Sequence, residues 1–347
     1  MTSGSGYLVN RRDGEAAVNI GYAAMLEQFS PSEAVSLAAL AEDHGFRGVM
    51  ASDHFQPWLP RQGESSFVWS VLGALGERTT GDLGPGVTTP TFRWHPAMVA
   101  QASATLAAMY PNRHWLGIGS GEAVNEHVVG AYWPEAPERI DRMFEAVDII
   151  KKLFSASLAG RDTRHSGRFF KLETTRLWTM PPTAPEIYIA TAGPVTAKRA
   201  GRLADGIITN GSDEARLRVL LSKFDEGVRD SGRSASKFTR VLRLHLSWAA
   251  TDAEAMHNAL TEWPIAGLRF GRSDIRSPFE FEQLARGVRP EDFSGQMVVS
   301  SDPDVHREHI QRCINLGFDR IYLHNVGRNQ SEWMEVFGRE VLPRLVR

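Results

Sequence analysis

Short apolar runs alternate with helix-like segments along most of this chain of 347 residues, and this alternation constrains the fold more than any other feature. Eight runs have the length and composition of buried strands: 18–24, 48–52, 85–90, 114–119, 186–191, 206–210, 242–248 and 320–324. Periodic apolar positions predict helices over 30–44, 96–110, 138–154, 195–203, 214–228, 303–316 and 332–345. Strands alternating with helices in this number are typical of a (β/α)8 TIM barrel. We therefore predict an α/β barrel, with an open doubly wound sheet as the alternative.

Two segments interrupt the alternation. Residues 157–182, between the fourth and fifth predicted strands, are polar, then aromatic, then proline-rich, and we interpret them as a short hairpin insertion. Residues 249–301, after the seventh strand, mix helix and loop. Insertions in a barrel often cover the mouth of the site, and we expect both to do so. No repeat or linker divides the chain, so we predict a single domain over 1–347, with 1–17 as an N-terminal extension.

The composition excludes several classes of function. A net charge of −2 provides no basic surface for nucleic acid or for an anionic membrane. The segment 1–18 lacks an apolar signal region, and no apolar run approaches the roughly 18 residues that span a bilayer. The single cysteine, Cys313, cannot form an intramolecular disulfide and is predicted to pack in a helix. We expect a cytoplasmic protein that acts on a small molecule.

One polar block follows the second predicted strand. Residues 52–58 read Ser-Asp-His-Phe-Gln-Pro-Trp, and loops at strand ends carry chemistry in α/β proteins. His54 can accept a proton near neutral pH, and the neighbouring Asp53 can orient it. Trp58 can form a wall of a ligand site. A histidine that caps a strand end, and a tryptophan that packs in the core, are the structural alternatives.

A second block, 117–125, follows the fourth predicted strand and contains glycine at 117, 119 and 121. A dinucleotide-binding motif does not fit, because position 122 is glutamate and no acidic residue ends a second strand about 20 positions on. We expect the glycines to let the backbone approach a flat ring, with Glu122 as a proton donor and Asn125 at the polar edge. His306 and His309 share a helix face without a zinc motif and are predicted to be solvated, and no metal site is predicted.

A third block, 190–198, leads from the fifth predicted strand into a helix. The free N–H groups of a helix N-terminus and the Thr196 hydroxyl could bind a phosphate there, and an ordinary helix start is the alternative. Residues 88–93, which include Thr89, end the third predicted strand and could line the same pocket.

These blocks closely resemble the F420-dependent glucose-6-phosphate dehydrogenases, a group within the luciferase-like (bacterial luciferase/F420) barrel superfamily. The resemblance extends from about residue 18 to 347. It rests on 52–58, Thr89-Pro90-Thr91-Phe92-Arg93, Tyr110-Pro111-Asn112-Arg113, 119–126 and Ser301-Asp302-Pro303-Asp304. It implies a TIM barrel that binds the deazaflavin coenzyme F420, and a homodimer.

The resemblance also implies roles for individual residues. His54 matches the base that removes the substrate hydroxyl proton, Glu122 the acid that protonates the deazaflavin ring, and Trp58 the indole beside the reacting centre. The positions matching cofactor contacts are Asp53, Thr89, Ser120, Gly121, Asn125, Ala192, Gly193, Val195 and Thr196.

The substrate side departs from this group. Its enzymes present two lysines and an arginine to the sugar phosphate, and the matching places here are Ser212-Asp213, Arg272 and Gln296. We predict Asn210, Arg272 and Gln296 as substrate-binding residues, and we predict a substrate other than glucose 6-phosphate. Arg269, Arg272 and Arg276 could rebuild an anion site. The alternatives are a reductase that uses reduced F420 on an imine, ketone or activated alkene, and an FMN-dependent monooxygenase.

Overall fold

Parallel strands form a barrel at the centre of the molecule. The computed structural model describes residues 18–233 and 238–346, so the predicted extension 1–17 lies outside the described residues. The central strands are β1 (Asn19–Ala24), β2 (Gly48–Ala51), β3 (Asp82–Pro85), β4 (Trp115–Ile118), β7 (Glu186–Ala190), β8 (Gly206–Asn210), β9 (Thr239–Ser247) and β11 (Arg320–Asn325). Outside this ring, β5 (Thr163–Ser166) and β6 (Lys171–Thr175) form a hairpin, and β10 (Val298–Val299) pairs with β9.

The strand order is β3-β2-β1-β11-β9-β8-β7-β4, and every neighbouring pair is parallel. Parallel bridges from Leu83 to His114 and from Thr88 to Ile118 join the two ends of this order. The sheet is therefore closed, and the predicted TIM barrel is confirmed.

Helices surround the barrel: α1 (Pro31–Asp43), α2 (Val68–Arg78), α3 (Pro96–Met109), α4 (Ala123–Glu126), α5 (Ala136–Leu158), α6 (Pro194–Leu203), α7 (Glu214–Asp230), α8 (Asp252–Glu262), α9 (Pro278–Ala285), α10 (Pro303–Asn315) and α11 (Gln330–Val336). Several start with proline in the first turn, where no N–H is needed. Within residues 18–233 and 238–346, no helix is long and apolar enough to cross a membrane.

Two apolar layers hold the barrel together. One lies between the strands and the outer helices, and the other fills the barrel interior with large side chains such as Trp115, Tyr188 and Tyr322. The Trp115 and Tyr188 rings stack with centroids 5.5 Å apart. Burial on both faces explains why the strands appear as short continuous apolar runs in the sequence. A cavity remains at the carboxyl ends of the strands.

Three elements differ from the sequence-based prediction. β3 lies at Asp82–Pro85 and not at 85–90, and the following peptide bond, Gly86–Val87, is cis. Helix α2 was missed; its glycines weaken the helical pattern, and Gly76 is required because a Cβ there would overlap the Tyr110 ring. The C-terminal helix changes to π geometry at Phe337–Val341 and to 3-10 geometry at Leu342–Arg344, where Pro343 lacks an N–H.

The two insertions occupy different places. The hairpin predicted in 157–182 forms, but it packs against α5, where the Glu145 carboxylate accepts the Phe169 and Phe170 N–H groups at 3.1 and 2.9 Å. None of its residues lines the central pocket, because α5 carries the chain away from the barrel mouth before the insertion begins. The hairpin is therefore not part of the pocket lining, and its place over the barrel mouth stays a prediction. The second insertion does reach the pocket, through Ser273.

His306 and His309 are buried, so the prediction of solvated side chains is wrong. Their helix, α10, packs against the C-terminal helix, and the His306 ring lies 5.4 Å from the ring of Phe337. His306 Nε2 lies 2.9 Å from the Ser300 carbonyl oxygen, to which it donates. Polar residues in a helical pattern suggest a solvated face. Here the C-terminal helix packs against that face of α10 and buries both histidines.

Burial of these histidines predicts a dependence of stability on pH. Burial lowers the pKa of His306 and of His309 to about 4, whereas the unfolded chain retains about 6.5. The unfolded state then binds more protons between these values, so the free energy of unfolding falls as the pH drops from about 6.5 to about 4. Each histidine contributes a slope of up to about 1.4 kcal/mol per pH unit. Urea unfolding at pH 7, 6 and 5 measures this change in the free energy of unfolding.

The variant His306→Gln isolates the contribution of His306 to this pH dependence, because glutamine does not titrate but can still donate to the Ser300 carbonyl. We expect a curve that is shallower than that of the parent between pH 6 and 5 by about 1.4 kcal/mol per unit. Asp82 and Glu126, whose carboxyl pKa values burial raises, act in the opposite direction but are present in both proteins. Parallel curves would contradict the assignment.

Candidate active site

A cavity of about 320 Å³ lies at the carboxyl ends of the barrel strands. Ten of the residues predicted from the sequence line it: Asp53, His54, Trp58, Thr89, Ser120, Gly121, Glu122, Asn125, Ala192 and Asn210. They come from loops after five different strands, and barrel closure brings these loops together. Among the described residues, no group of three or more histidine, cysteine or acidic side chains is arranged to hold a metal ion.

His54 lies on the loop after β2 with its two ring nitrogens in different surroundings. Nδ1 is 3.2 Å from the Gln56 carbonyl oxygen, which can only accept, so Nδ1 carries the proton in the neutral ring. Nε2 is 3.5 Å from Glu27 Oε1 and 3.9 Å from Glu122 Oε2. The basic nitrogen therefore faces two carboxylates, which stabilise the ring once it has accepted a proton.

Glu27 is a part of this site that the sequence reasoning missed. It is fully buried in the turn after β1, and its Oε2 accepts a hydrogen bond from the Ser52 hydroxyl, which in turn accepts from the Leu26 N–H. Its Oε1 has no hydrogen-bond partner and is the atom that faces His54. The sequence did contain an indication of Glu27. It is a charged residue shortly after an apolar strand, and His54 was selected because it is a polar residue in the same kind of position.

Trp58 forms one wall of the pocket. Its ring centroid lies 4.7 Å from that of His54, and Phe281 of the second insertion packs edge-on against it at 5.2 Å. The Trp58 N–H of the backbone donates to Gln62 Oε1 at 2.9 Å. The indole is therefore held from two sides, which fixes the position of the imidazole beside it.

The loops that carry His54 and Glu122 are hydrogen-bonded to each other. Asn125 Oδ1 accepts the Phe55 N–H at 2.9 Å, and Gln56 Nε2 donates to the Val124 carbonyl at 2.9 Å. Gly121, directly before Glu122, has φ +88°, and a Cβ there would lie 2.9 Å from the Thr89 side chain. This glycine permits the turn that directs Glu122 into the pocket.

Asp53 takes part in a buried ion network beneath the pocket. Its carboxylate accepts from the Thr88 hydroxyl at 2.7 Å and lies 3.3 Å from the Arg93 guanidinium. Arg93 also contacts Glu126 at 2.9 Å, and these two carboxylates raise its pKa although burial acts in the opposite direction. Asp53 therefore fixes the loop before His54 and lines the pocket floor.

The third sequence block surrounds the start of α6, at the rim. Ala192 lines the cavity, whereas Gly193, Val195 and Thr196 do not. Gly193 is the N-cap residue and provides no side-chain cap, and its own N–H bonds to Thr191 Oγ1 at 3.0 Å. The N–H groups of the first turn are therefore available to an anion at the pocket rim.

The three predicted substrate-binding residues are separated. Asn210 lines the cavity, and the Arg272 guanidinium lies 6.0 Å from the Trp58 ring centroid. Gln296 is exposed, and its backbone carbonyl accepts the Ser212 hydroxyl at 2.7 Å. Asp213 caps α7 by accepting the Ala215 N–H at 3.0 Å, so its carboxylate serves the helix.

A second residue that the sequence reasoning missed is Arg243, on β9 inside the barrel. It lines the cavity, and its NH1 donates to the Gly86 carbonyl at 3.1 Å. Burial lowers its pKa, and the nearby carboxylates of Glu27 and Glu122 partly offset this effect. The sequence indicated this residue through its pattern, because Arg243 stands between two leucines in a predicted strand. It shows that the polar face of this strand points inward.

Comparison with known proteins agrees with this architecture. The family model for luciferase-like monooxygenases matches residues 11–320. The F420-dependent glucose-6-phosphate dehydrogenase of Microbacterium testaceum is 37% identical over 331 residues, which cover 94% of this chain and 97% of that protein. The protein of the same name from Mycobacterium tuberculosis H37Rv is 36% identical over 337 residues, which cover 96% of this chain and 99% of that one.

Solved structures give the same result. An F420-dependent secondary alcohol dehydrogenase in complex with an F420-acetone adduct superimposes with a TM-score of 0.89 and 30% identity, covering 95% of this chain and 99% of that one. The coenzyme F420 dependent tetrahydromethanopterin reductase from Methanopyrus kandleri shares the fold, with a TM-score of 0.78 and 21% identity over 95% of this chain and 100% of that one. The chain belongs to the luciferase-like monooxygenase family, with F420-dependent dehydrogenases among its relatives.

Proposed function

We propose that this enzyme is an F420-dependent oxidoreductase that transfers a hydride between the deazaflavin ring and an alcohol carbon. The observation that carries the proposal is His54 Nε2, which lies at the pocket wall within 3.9 Å of two carboxylates. Relatives that are 36–37% identical are named as F420-dependent dehydrogenases. A basic nitrogen beside Trp58 in a closed barrel mouth supports alcohol oxidation.

The residues present fit the cofactor. Gly121 and Ser120 provide a backbone wall without bulky side chains, and the uncapped start of α6 is suited to a phosphate of the cofactor tail. Ser120, Gly121, Asn125, Ala192 and the α6 N-terminus would hold F420. When bound, F420 supplies a hydride acceptor at C5 of the deazaflavin.

The side chains of the site divide the proton transfers. His54 Nε2 takes the proton of the substrate hydroxyl, because Nδ1 already carries one. Glu27 keeps the imidazole oriented and stabilises its charged form, and Glu122, whose Oε2 lies 3.9 Å from His54 Nε2, donates a proton to the deazaflavin ring. Trp58 excludes water from His54. The same groups serve the reverse direction, in which a carbonyl is reduced.

The substrate differs from glucose 6-phosphate in this proposal. Of the three places where related enzymes present cations to the sugar phosphate, only Arg272 is cationic here. Asp213 is engaged as a helix cap, and the Gln296 side chain is exposed. Loss of two charge-assisted hydrogen bonds, each worth roughly 1.5–3 kcal/mol, weakens binding strongly.

Cofactor titration and F420 reduction test the function. We expect F420 fluorescence to be quenched at micromolar protein and FMN to bind far more weakly, followed by reduction of F420 with alcohols but not with micromolar glucose 6-phosphate. Tight binding of FMN and none of F420 would overturn the proposed cofactor. Rapid turnover of micromolar glucose 6-phosphate would overturn the changed substrate.

Replacement of Glu27 tests its positioning role. Glu27→Gln keeps the bond to Ser52 but removes the charge that faces His54. We expect kcat to fall about tenfold to a hundredfold, with KM little changed. We also expect the acidic limb of the pH–rate profile to move to lower pH or to disappear. If activity falls only in proportion to the amount of folded protein, and the pH profile is unchanged, Glu27 has a structural role only.

We also propose a homodimer, as the family resemblance implies. Light scattering on the eluted protein gives the mass directly. A mass near 38.5 kDa would identify a monomer and contradict this proposal.

A further inference from the structure

Arg243 places a half-buried cation at the pocket, and among residues 18–233 and 238–346 no carboxylate forms an ion pair with it. Its NH1 donates to the Gly86 carbonyl, and its Nε has no hydrogen-bond partner. Arg93 shows the contrast, because that buried guanidinium contacts both Asp53 and Glu126. The carboxylates of Glu27 and Glu122 offset the burial of this guanidinium only in part, so a ligand that supplies negative charge in direct contact with it is favourable. The accessible part of Arg243 faces the cavity.

Arg272 adds a second cation from the insertion after β9. Its guanidinium donates to the Ile265 carbonyl and lies over the Trp58 ring, 6.0 Å from the centroid. In the part of the chain that the structure describes, no carboxylate lies within 4.0 Å of either guanidinium. Arg269 and Arg276, the other predicted members of an anion site, are exposed. Arg243 therefore lines the cavity, and Arg272 lies half-buried beside the Trp58 wall.

We propose that the substrate is a small 2-hydroxycarboxylate whose carboxylate binds Arg243, with Arg272 closing the anion site. This inference deepens the proposed function and rests on it. A guanidinium presents paired N–H donors that match the two oxygens of a planar carboxylate. The cavity of about 320 Å³ must also hold the deazaflavin ring, which leaves room for a small substrate only.

The reaction is balanced with the groups already assigned. Glu27 and Glu122 both face His54, and both influence Arg243 electrostatically, so the anion site and the base are neighbours. The hydroxyl proton goes to His54 Nε2, and the hydride on the same carbon goes to oxidised F420. The substrate becomes a 2-oxocarboxylate. A carboxylate attached to the reacting carbon gives the shortest link between the two sites.

Binding to the cofactor-free protein tests the anion site without turnover. Calorimetric titration uses oxalate, a planar anion, and oxamide, its neutral analogue. We expect oxalate to bind the parent protein and the control Arg269→Met, and to bind Arg243→Met at least tenfold more weakly, while oxamide binds none of them. Equal oxalate affinity in the parent and Arg243→Met would overturn the proposal.

Activity separates this proposal from the proposed function. With F420 bound, we expect lactate and mandelate to be oxidised at least tenfold faster than their methyl esters, and Arg243→Met to lose this preference while F420 quenching changes less than threefold. Faster oxidation of the esters by the parent enzyme would overturn the carboxylate site but leave the dehydrogenase intact. Absence of F420 binding would overturn the proposed function, and oxalate titration would still decide the anion site.

The anion site can still be tested if Arg243→Met is too unstable to study. If Arg243→Met fails to fold, as circular dichroism would show, Arg243→Lys retains the charge but not the paired donors. We expect it to fold and to bind oxalate at least threefold more weakly than the parent, without a change in F420 affinity. A loss of F420 affinity with unchanged oxalate binding would assign Arg243 to the cofactor and overturn the proposal.

Discussion

His54→Ala is expected to reduce turnover at least about a hundredfold while F420 still binds. The variant removes the ring nitrogen that lies 3.5 Å from Glu27 and 3.9 Å from Glu122, which is the proposed acceptor of the hydroxyl proton. Apart from Asp53, the proposed cofactor contacts lie on other loops, and fluorescence quenching should therefore remain within a few-fold of the parent value. Stopped-flow reduction of F420 at saturating alcohol measures the chemical step.

A matched control uses His257→Ala, because His257 is exposed on α8 and outside the pocket. We expect its turnover to remain within twofold of the parent. Unchanged turnover in His54→Ala would remove this residue from the mechanism. A parallel loss of F420 binding would show instead that the loop after β2 had collapsed.

Arg93→Met is expected to have the largest effect on stability. Arg93 is buried with Asp53 and Glu126, whose side chains are 2% and 1% exposed. Removing the guanidinium leaves two carboxylates buried without a counter-ion, which costs about 3–5 kcal/mol. Urea unfolding at pH 7 measures the loss.

Arg339→Met serves as the control, because Arg339 forms an ion pair with Glu340 on the surface. We expect no measurable change in its unfolding midpoint. The double variant Arg93→Met/Glu126→Gln should recover part of the lost stability, since it removes one of the unpaired charges. A loss in Arg93→Met as small as that of the control would show that water or protonation compensates the network.

The barrel was predictable because buried parallel strands produce short apolar runs, and amphipathic helices produce a different period between them. β3 was misplaced because the threonine-rich segment after it has strand-like composition, although only Thr88 forms a bridge there. The exposure of His306 and His309 was predicted wrongly, since the side that a helix buries depends on a partner far away in the chain.

The candidate site was predictable only in part. His54, Trp58 and Glu122 stand in distinctive blocks, and the structure places all three at the same cavity. Glu27 and Arg243 have no such block around them. Glu27 gains its significance from the 3.5 Å to His54, and Arg243 from its position inside the closed barrel.

The sequence by itself determined the order of strands and helices, the polar loops at the strand ends and the resemblance to F420-dependent dehydrogenases. These features are local, because each depends on residue types and spacing within a short stretch of chain. The tertiary structure alone decided which charges meet. Residues 27, 54, 122 and 243 lie on four different strands or loops. Closure of the barrel brings the last three to one cavity and places Glu27 3.5 Å from His54. The pairing of Arg93 and the lack of a carboxylate partner for Arg243 follow from that closure, and this difference points to an anionic substrate.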